Sequence, residues 1–152
     1  MPDPRVLILR DPRESAKKCS LSPLRGMSGI EFVEYRAERT IDATDRVLLH
    51  PDGDELSADD GGGGLFLIDC SWRRVPSLRR TVLGDPVLRR LPHFETAYPR
   101  RSRVFEDPDQ GLASVEALYA ALFIMGECRP ELLASYRWAD EFLELNPTLR
   151  PR

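Results

Sequence analysis

At 152 residues and 17.3 kDa, with 41% apolar and 31% charged residues, the chain is sized for one domain, or one domain with a small N-terminal lobe. No apolar run approaches the roughly 20 residues of a membrane span, and Asp3, Arg5, Arg10, Asp11 and Arg13 interrupt any signal-peptide core. Three widely spaced cysteines, Cys19, Cys70 and Cys128, argue against a disulfide scaffold or a zinc knuckle and for free thiols in a reducing cytoplasm.

Charge is unevenly spread. Residues 1–69 carry 9 bases and 14 acids, residues 70–105 carry 9 bases and 2 acids, and residues 106–152 carry 4 bases and 9 acids. The middle segment is therefore +7 between two flanks of −5. All nine of its bases are arginine, although 20 of the chain's 22 bases are arginine too, so the local excess matters more than the residue type. A polyanion is the natural partner for such a surface.

In chain order, residues 5–9, with the four-residue apolar run Val6–Leu9, predict a buried strand ended by Asp11-Pro12. Residues 15–29 predict a loop with one helical turn. A second strand is expected at Arg46–Leu49, closed by the turn residues His50-Pro51-Asp52-Gly53. A helical turn is expected at Leu56–Asp60, and Gly61–Gly64 reads as a flexible loop or a tolerated insertion. The clearest strand, Leu65–Ile68, runs straight into Asp69-Cys70-Ser71-Trp72. A helix from Arg73 or Pro76 to Leu83 follows, stopped by Gly84-Asp85-Pro86, and residues 91–111 are loop-rich. Ser114 reads as the N-cap of a helix to Met125, with Val115, Leu118, Leu122 and Met125 on one stripe. Pro130 opens a last helix ended by Asn146-Pro147. The order implies a mixed α/β fold, with a ligand at the end of a buried strand.

Asp69-Cys70-Ser71-Trp72 supports two readings. The acid caps the next helix while the indole closes the core, or the pair receives a cationic small molecule, indole to cation and carboxylate to amine. Cys70 is a conceivable nucleophile if it starts a helix. No GxGxxG or Walker loop is present, and the two histidines, His50 and His93, stand in proline-flanked turns that offer no metal site.

Several strings in order make the chain resemble a known family. They are Lys17-Lys18-Cys19-Ser20, Leu49-His50-Pro51, Leu56–Asp60, Ile68–Trp72, Arg90-Leu91-Pro92, Ser114-Val115-Glu116-Ala117, and Trp138–Phe142 with Asn146. Together they are similar to the aminocarboxypropyltransferases that modify a uridine of small-subunit ribosomal RNA. The resemblance implies a SPOUT-like α/β fold with a C-terminal trefoil knot, either with an N-terminal strand and loop lobe at 1–45 and a knotted S-adenosylmethionine-binding region at 46–152, or as one continuous domain. It implies a transferase that moves a 3-amino-3-carboxypropyl group from S-adenosyl-L-methionine to RNA during ribosome biogenesis, and the chain is expected to be a cytoplasmic monomer. By the same resemblance, Asp69 is the catalytic residue. Cofactor contacts fall to Ser20, Leu49, Pro51, Ile68, Asp69, Trp72, Leu91, Gln110 and Ser114, with Leu49, Pro51 and Trp72 enclosing the methyl group. Lys17, Lys18, Arg25, Arg73, Arg74, Arg100, Arg101 and Arg103 are expected to meet RNA, with the +7 segment as one continuous face. Two alternatives stay open: the same transfer to tRNA, or a non-catalytic RNA-binding assembly protein.

The chain departs from the family pattern at Glu14-Ser15-Ala16, at Leu21, and at Thr96-Ala97-Tyr98-Pro99 followed by Arg100-Arg101-Ser102-Arg103. The cofactor side resembles the family more closely than the acceptor loop does.

Overall fold

The apolar run near the N-terminus becomes strand β1 (Val6–Arg10), and every residue of it is buried because both faces of the sheet are covered. The computed structural model describes residues 4–14, 19–99 and 112–151, so the expectations for Lys17, Lys18, Arg100, Arg101, Arg103 and Gln110 lie outside the described residues. Further strands are β2 (Ile30–Glu34), β3 (Ile41–Asp42), β4 (Arg46–Glu55), β5 (Gly64–Asp69), β6 (Val82–Leu83) and β7 (Val87–Arg90). The helices are α1 (Val75–Arg79), α2 (Ser114–Ile124) and α3 (Ala139–Leu145). The main sheet has the order β2-β1-β5-β4-β7, with every pairing parallel, and β3 pairs with β6 in a small parallel ribbon. This is an α/β fold built on a parallel sheet.

Alternation along the strands divides the core in two. Val6, Ile8, Leu65 and Leu67 face α2 and the C-terminal segments, where Leu118, Tyr119, Leu122, Leu133, Phe142 and Leu149 fill the layer. Leu7, Leu9, Leu48 and Phe66 face the other way, onto Leu78 of α1 and the Ile41–Ala43 segment. Helix α2 buries Tyr119, Ala120 and Ala121 as well as the expected stripe, because it is sandwiched between the sheet and the chain's last turns.

Several elements differ from the sequence expectation. Strand β4 continues past Leu49 to Glu55: Leu49 and Asp54 both oppose Arg89, and His50–Gly53 bulges out between them. A Cβ on Gly53 would collide with the Leu88 carbonyl, so the bulge lies directly on β7. The glycine run is held in place. Gly61 and Gly62 close a 3-10 turn (Ala58–Gly62), Gly64 opens β5, and buried Arg5 donates to the carbonyls of Gly61 and Gly63 at 3.0 and 2.6 Å.

Helix α1 stops at Arg79, short of Leu83, because Val82 and Leu83 are taken into pairing with Ile41 and Asp42. The last expected helix is split into a 3-10 turn (Pro130–Leu133) and α3. No helix among the described residues is long and apolar enough to cross a membrane. Strands β1 and β2, from within residues 1–45, belong to the same sheet as β4, β5 and β7.

Candidate active site

Parallel strands present their ligands at their carboxyl ends. Here the ends of β1 and β5 open onto a cleft of about 410 Å3, lined by Glu14, Cys19, Ser20, Asp69, Cys70, Ser71, Tyr98, Leu112, Ala113 and Ser114. Its volume lies within the range of small-molecule sites.

Asp69 is the last residue of β5 and stands in register with Arg10 of β1. Its Oδ2 accepts the Cys19 thiol at 3.1 Å, and Arg10 Nε lies 3.9 Å from the same oxygen, an ion pair rather than a hydrogen bond. Arg10 Nε is buried without a hydrogen-bond partner, while its Nη2 donates to the Glu14 carbonyl. Burial, reinforced by the hydrogen bond to Asp69, pushes the Cys19 thiol above its ordinary value, so the sulfur stays protonated and donates. Asp69 is thus held by Oδ2.

Behind it, Asp11 is buried and pairs with Arg74 Nε at 3.0 Å, and the Arg74 guanidinium lies 5.4 Å over the Tyr35 ring. Burial alone would raise the Asp11 carboxyl, but the Arg74 bond and the Arg13 backbone N–H outweigh it and hold it below the usual value. Cys70 shows the opposite balance. Desolvation, then the charges of Asp11 and Asp69, push its thiol up to about 12. It also precedes the helical turn, which begins at Trp72, so the nucleophile reading of Cys70 fails on both counts.

The opposite wall is built by α2. Ser114 is its first helical residue, and Ala113, not Ser114, occupies the cap position. The missing side-chain cap is supplied from afar: Ser20 Oγ accepts the Val115 N–H at 3.1 Å. Glu116, wholly buried, accepts the Ala113 N–H at 2.8 Å, the Thr96 hydroxyl at 2.6 Å and the Ala97 N–H at 2.9 Å. Asn146 accepts the Glu95 N–H and donates to the Glu95 carbonyl. The loop that carries Tyr98 is therefore pinned to both α2 and the end of α3.

Of the expected cofactor residues, Ser20, Asp69 and Ser114 come together in this cleft. Leu49 and Leu91 pack against one core layer and Ile68 against the other, and Pro51 sits exposed on the β4 bulge. Trp72 is 53% exposed, beside the cleft residue Ser71 but outside the lining. Among the expected RNA contacts, Arg74 is committed to Asp11, Arg25 stacks 4.5 Å over Phe32, and Arg73 is exposed. Elsewhere in the basic segment, Arg89 pairs with Asp60 at 3.2 Å and Arg90 donates to the Gly53 carbonyl. Arg74 and Arg89 are thus paired within the fold and Arg73, Arg79 and Arg80 are exposed, while the remainder of the expected basic face, at Arg100, Arg101 and Arg103, lies outside the described residues.

The cleft also contains residues given no role from sequence: Glu14, Cys19, Tyr98, Leu112 and Ala113. Cys19 sits inside the Lys17–Ser20 string and was open to discovery, whereas Tyr98 lies in a proline-flanked loop with no periodic signal. Among the described residues, no three His, Cys, Asp or Glu side chains are grouped as a metal site requires.

Residues 42–150 match the family model described as "Ribosome biogenesis protein, C-terminal". The 16S rRNA aminocarboxypropyltransferase of Vulcanisaeta distributa is 31% identical over 151 residues, spanning 94% of this chain and 78% of that protein. Its counterpart from Methanosarcina mazei is 31% identical over 86% of this chain and 74% of its own length. The solved structure of the SAM-dependent rRNA:acp-transferase Tsr3 from Vulcanisaeta distributa matches with a TM-score of 0.71 and 28% identity, covering 94% of this chain and 78% of that one. Fold, cleft and relatives converge, and the chain belongs to the 16S rRNA aminocarboxypropyltransferase family.

Proposed function

We propose that this protein transfers the 3-amino-3-carboxypropyl group of S-adenosyl-L-methionine to a uridine-type base of small-subunit ribosomal RNA. The observation that carries the reading is Asp69. It stands at the carboxyl end of β5, in a cleft of cofactor size, in a fold that matches a SAM-dependent rRNA:acp-transferase over 94% of the chain.

The residues present fit the cofactor. Asp69 offers a carboxylate to an ammonium or sulfonium. Ser20, whose oxygen already accepts from Val115, keeps its O–H to donate to a carboxylate. S-adenosylmethionine supplies, when bound, a carbon activated by its sulfonium leaving group. With Oδ2 engaged by Cys19 and Arg10, Asp69 uses Oδ1 to orient the amine and to take the imide proton of the base. Choosing the carboxypropyl carbon over the methyl is a matter of position, since a nucleophile must be held at about 3–3.5 Å from the reacting carbon. Leu49, Pro51 and Trp72 remain our assignment for the methyl shield, and Ile68, Leu91 and Gln110 for the adenosine. Support for Leu49 and Ile68 comes from the register: Leu49 adjoins Leu48, which pairs with Phe66 of β5, and Ile68 adjoins Asp69.

The same reading includes a SPOUT-like backbone with a C-terminal trefoil knot, supported by the all-parallel sheet and the structural match. It takes residues 1–45 and 46–152 as one continuous domain, supported by the position of β1 between β2 and β5 in the main sheet.

The test is a pair of labelled cofactors incubated with small-subunit rRNA. Label in the carboxyl carbon should pass to the RNA, and label in the methyl should not. The reverse pattern would make the protein a methyltransferase and end the proposal.

A further inference from the structure

Tyr98 has no assigned role, yet it lines the cleft and remains 37% exposed. A tyrosine ring carries a large apolar surface that folding normally covers. This one is held in the open by a rigid support. Its N–H donates to Thr96 Oγ1 at 3.0 Å, and the Thr96 hydroxyl in turn donates to buried Glu116. The ring meets Trp138 edge to face, with centroids 5.2 Å apart and planes at 74°. Trp138 leans on Tyr136 at 5.7 Å, and the exposed Arg137 guanidinium lies 5.6 Å over the Trp138 ring. A short aromatic path thus leads out of the cleft and finishes at a cation.

Such an arrangement is what a single strand of RNA recognises: an aromatic face for an unstacked base, and an arginine for the backbone beside it. A compact small molecule inside the cleft would meet Tyr98 but would have no use for the path outward. Building on the transferase reading above, we propose that the Tyr98 ring is the platform on which the acceptor base stacks. Trp138 positions that ring, and Arg137 contacts the adjoining phosphate. The base then enters the same cleft that Asp69 lines.

Three variants test this on the full chain: Tyr98→Phe, Tyr98→Leu and Arg137→Ala. The measurements are KM and kcat with a transcript of the small-subunit rRNA, direct binding of that transcript by fluorescence anisotropy, and cofactor affinity by calorimetry. Tyr98→Phe should match the parent, because the aromatic face survives. Tyr98→Leu should raise KM for RNA about ten-fold or more, weaken transcript binding in parallel, and leave cofactor affinity within about two-fold. Arg137→Ala should flatten the salt dependence of RNA binding by about 0.7 in slope.

The proposal is overturned if Tyr98→Leu binds and uses RNA as the parent does. It is equally overturned if that variant loses cofactor affinity instead, which would set Tyr98 against the adenosine. A parent protein that binds the transcript but transfers no label refutes the transferase reading alone, and the anisotropy series still decides the role of Tyr98.

Discussion

Replacing Glu116 by alanine should destabilise the protein by about 3–5 kcal/mol. The figure comes from the position of this one carboxylate, which is wholly buried and accepts three hydrogen bonds, from Thr96, Ala97 and Ala113. Bonds to a charged acceptor contribute about 1.5–3 kcal/mol each, and a buried N–H left without a partner costs about 1–3. The bonds share one side chain, and its removal also relieves a buried charge, so the total falls well below their sum. Glu116→Gln keeps the shape but turns one oxygen into an NH2 that faces a donor. It should cost about 1–3 kcal/mol. Urea unfolding followed by circular dichroism would show both as lowered midpoints at unchanged slope. Cofactor affinity of the Gln variant should fall as well, because the same bonds set the start of α2 against the cleft. If the alanine variant unfolds within about 1 kcal/mol of the parent, the wall is not hung on Glu116 and the account of the Tyr98 loop fails with it.

Thiol chemistry gives a second expectation. Iodoacetamide at mild alkaline pH should modify exposed Cys128 first and leave Cys70 nearly untouched, since burial pushes its thiol up to about 12; equal rates by peptide mass spectrometry would contradict the burial argument. Asp11, whose carboxyl is held below its ordinary value, contributes stability that is present above its unfolded value and lost as pH falls through the folded one. The stability gap between the parent and Asp11→Asn should therefore be full above about pH 4 and close in stronger acid, and a gap independent of pH would refute the pairing with Arg74. Replacing Arg100, Arg101 and Arg103 by alanine should flatten the salt slope of RNA binding by up to about 2 units. Unchanged binding across a salt titration would leave those residues as solvated surface charge.

Elements that bury both faces were legible from sequence. Val6–Leu9 and Leu65–Ile68 carry uninterrupted apolar runs, and a parallel strand covered on both sides has no other way to be written. Strand β2 escaped because it is an edge: Ile30-Glu31-Phe32-Val33-Glu34 buries one residue fully and exposes its glutamates. Strand β7 was hidden by Arg89 and Arg90, which pair with Asp60 and donate to the Gly53 carbonyl respectively, partners set by tertiary structure alone. The aspartate at the end of β5 was legible because motif and strand end coincide. The outer wall was not, since Ser20 and Val115 are 95 residues apart and Glu95 and Asn146 are 51 apart, and no local pattern encodes such meetings.

The position of β1 bears on how this protein can be divided. The family model begins at residue 42, a point that invites cloning of the remainder as a unit. That remainder would lack the strand lying between β2 and β5, and it would lose Arg10 and Cys19, the two groups that hold Asp69. Leu65–Ile68 would become an open apolar strand edge, a template for aggregation rather than half of a cleft. The segment that the family model matches therefore leaves out two strands of the sheet to which it belongs. During synthesis the first strand meets β2 early but waits for β5, about sixty residues downstream, and the site exists only after most of the chain has been made.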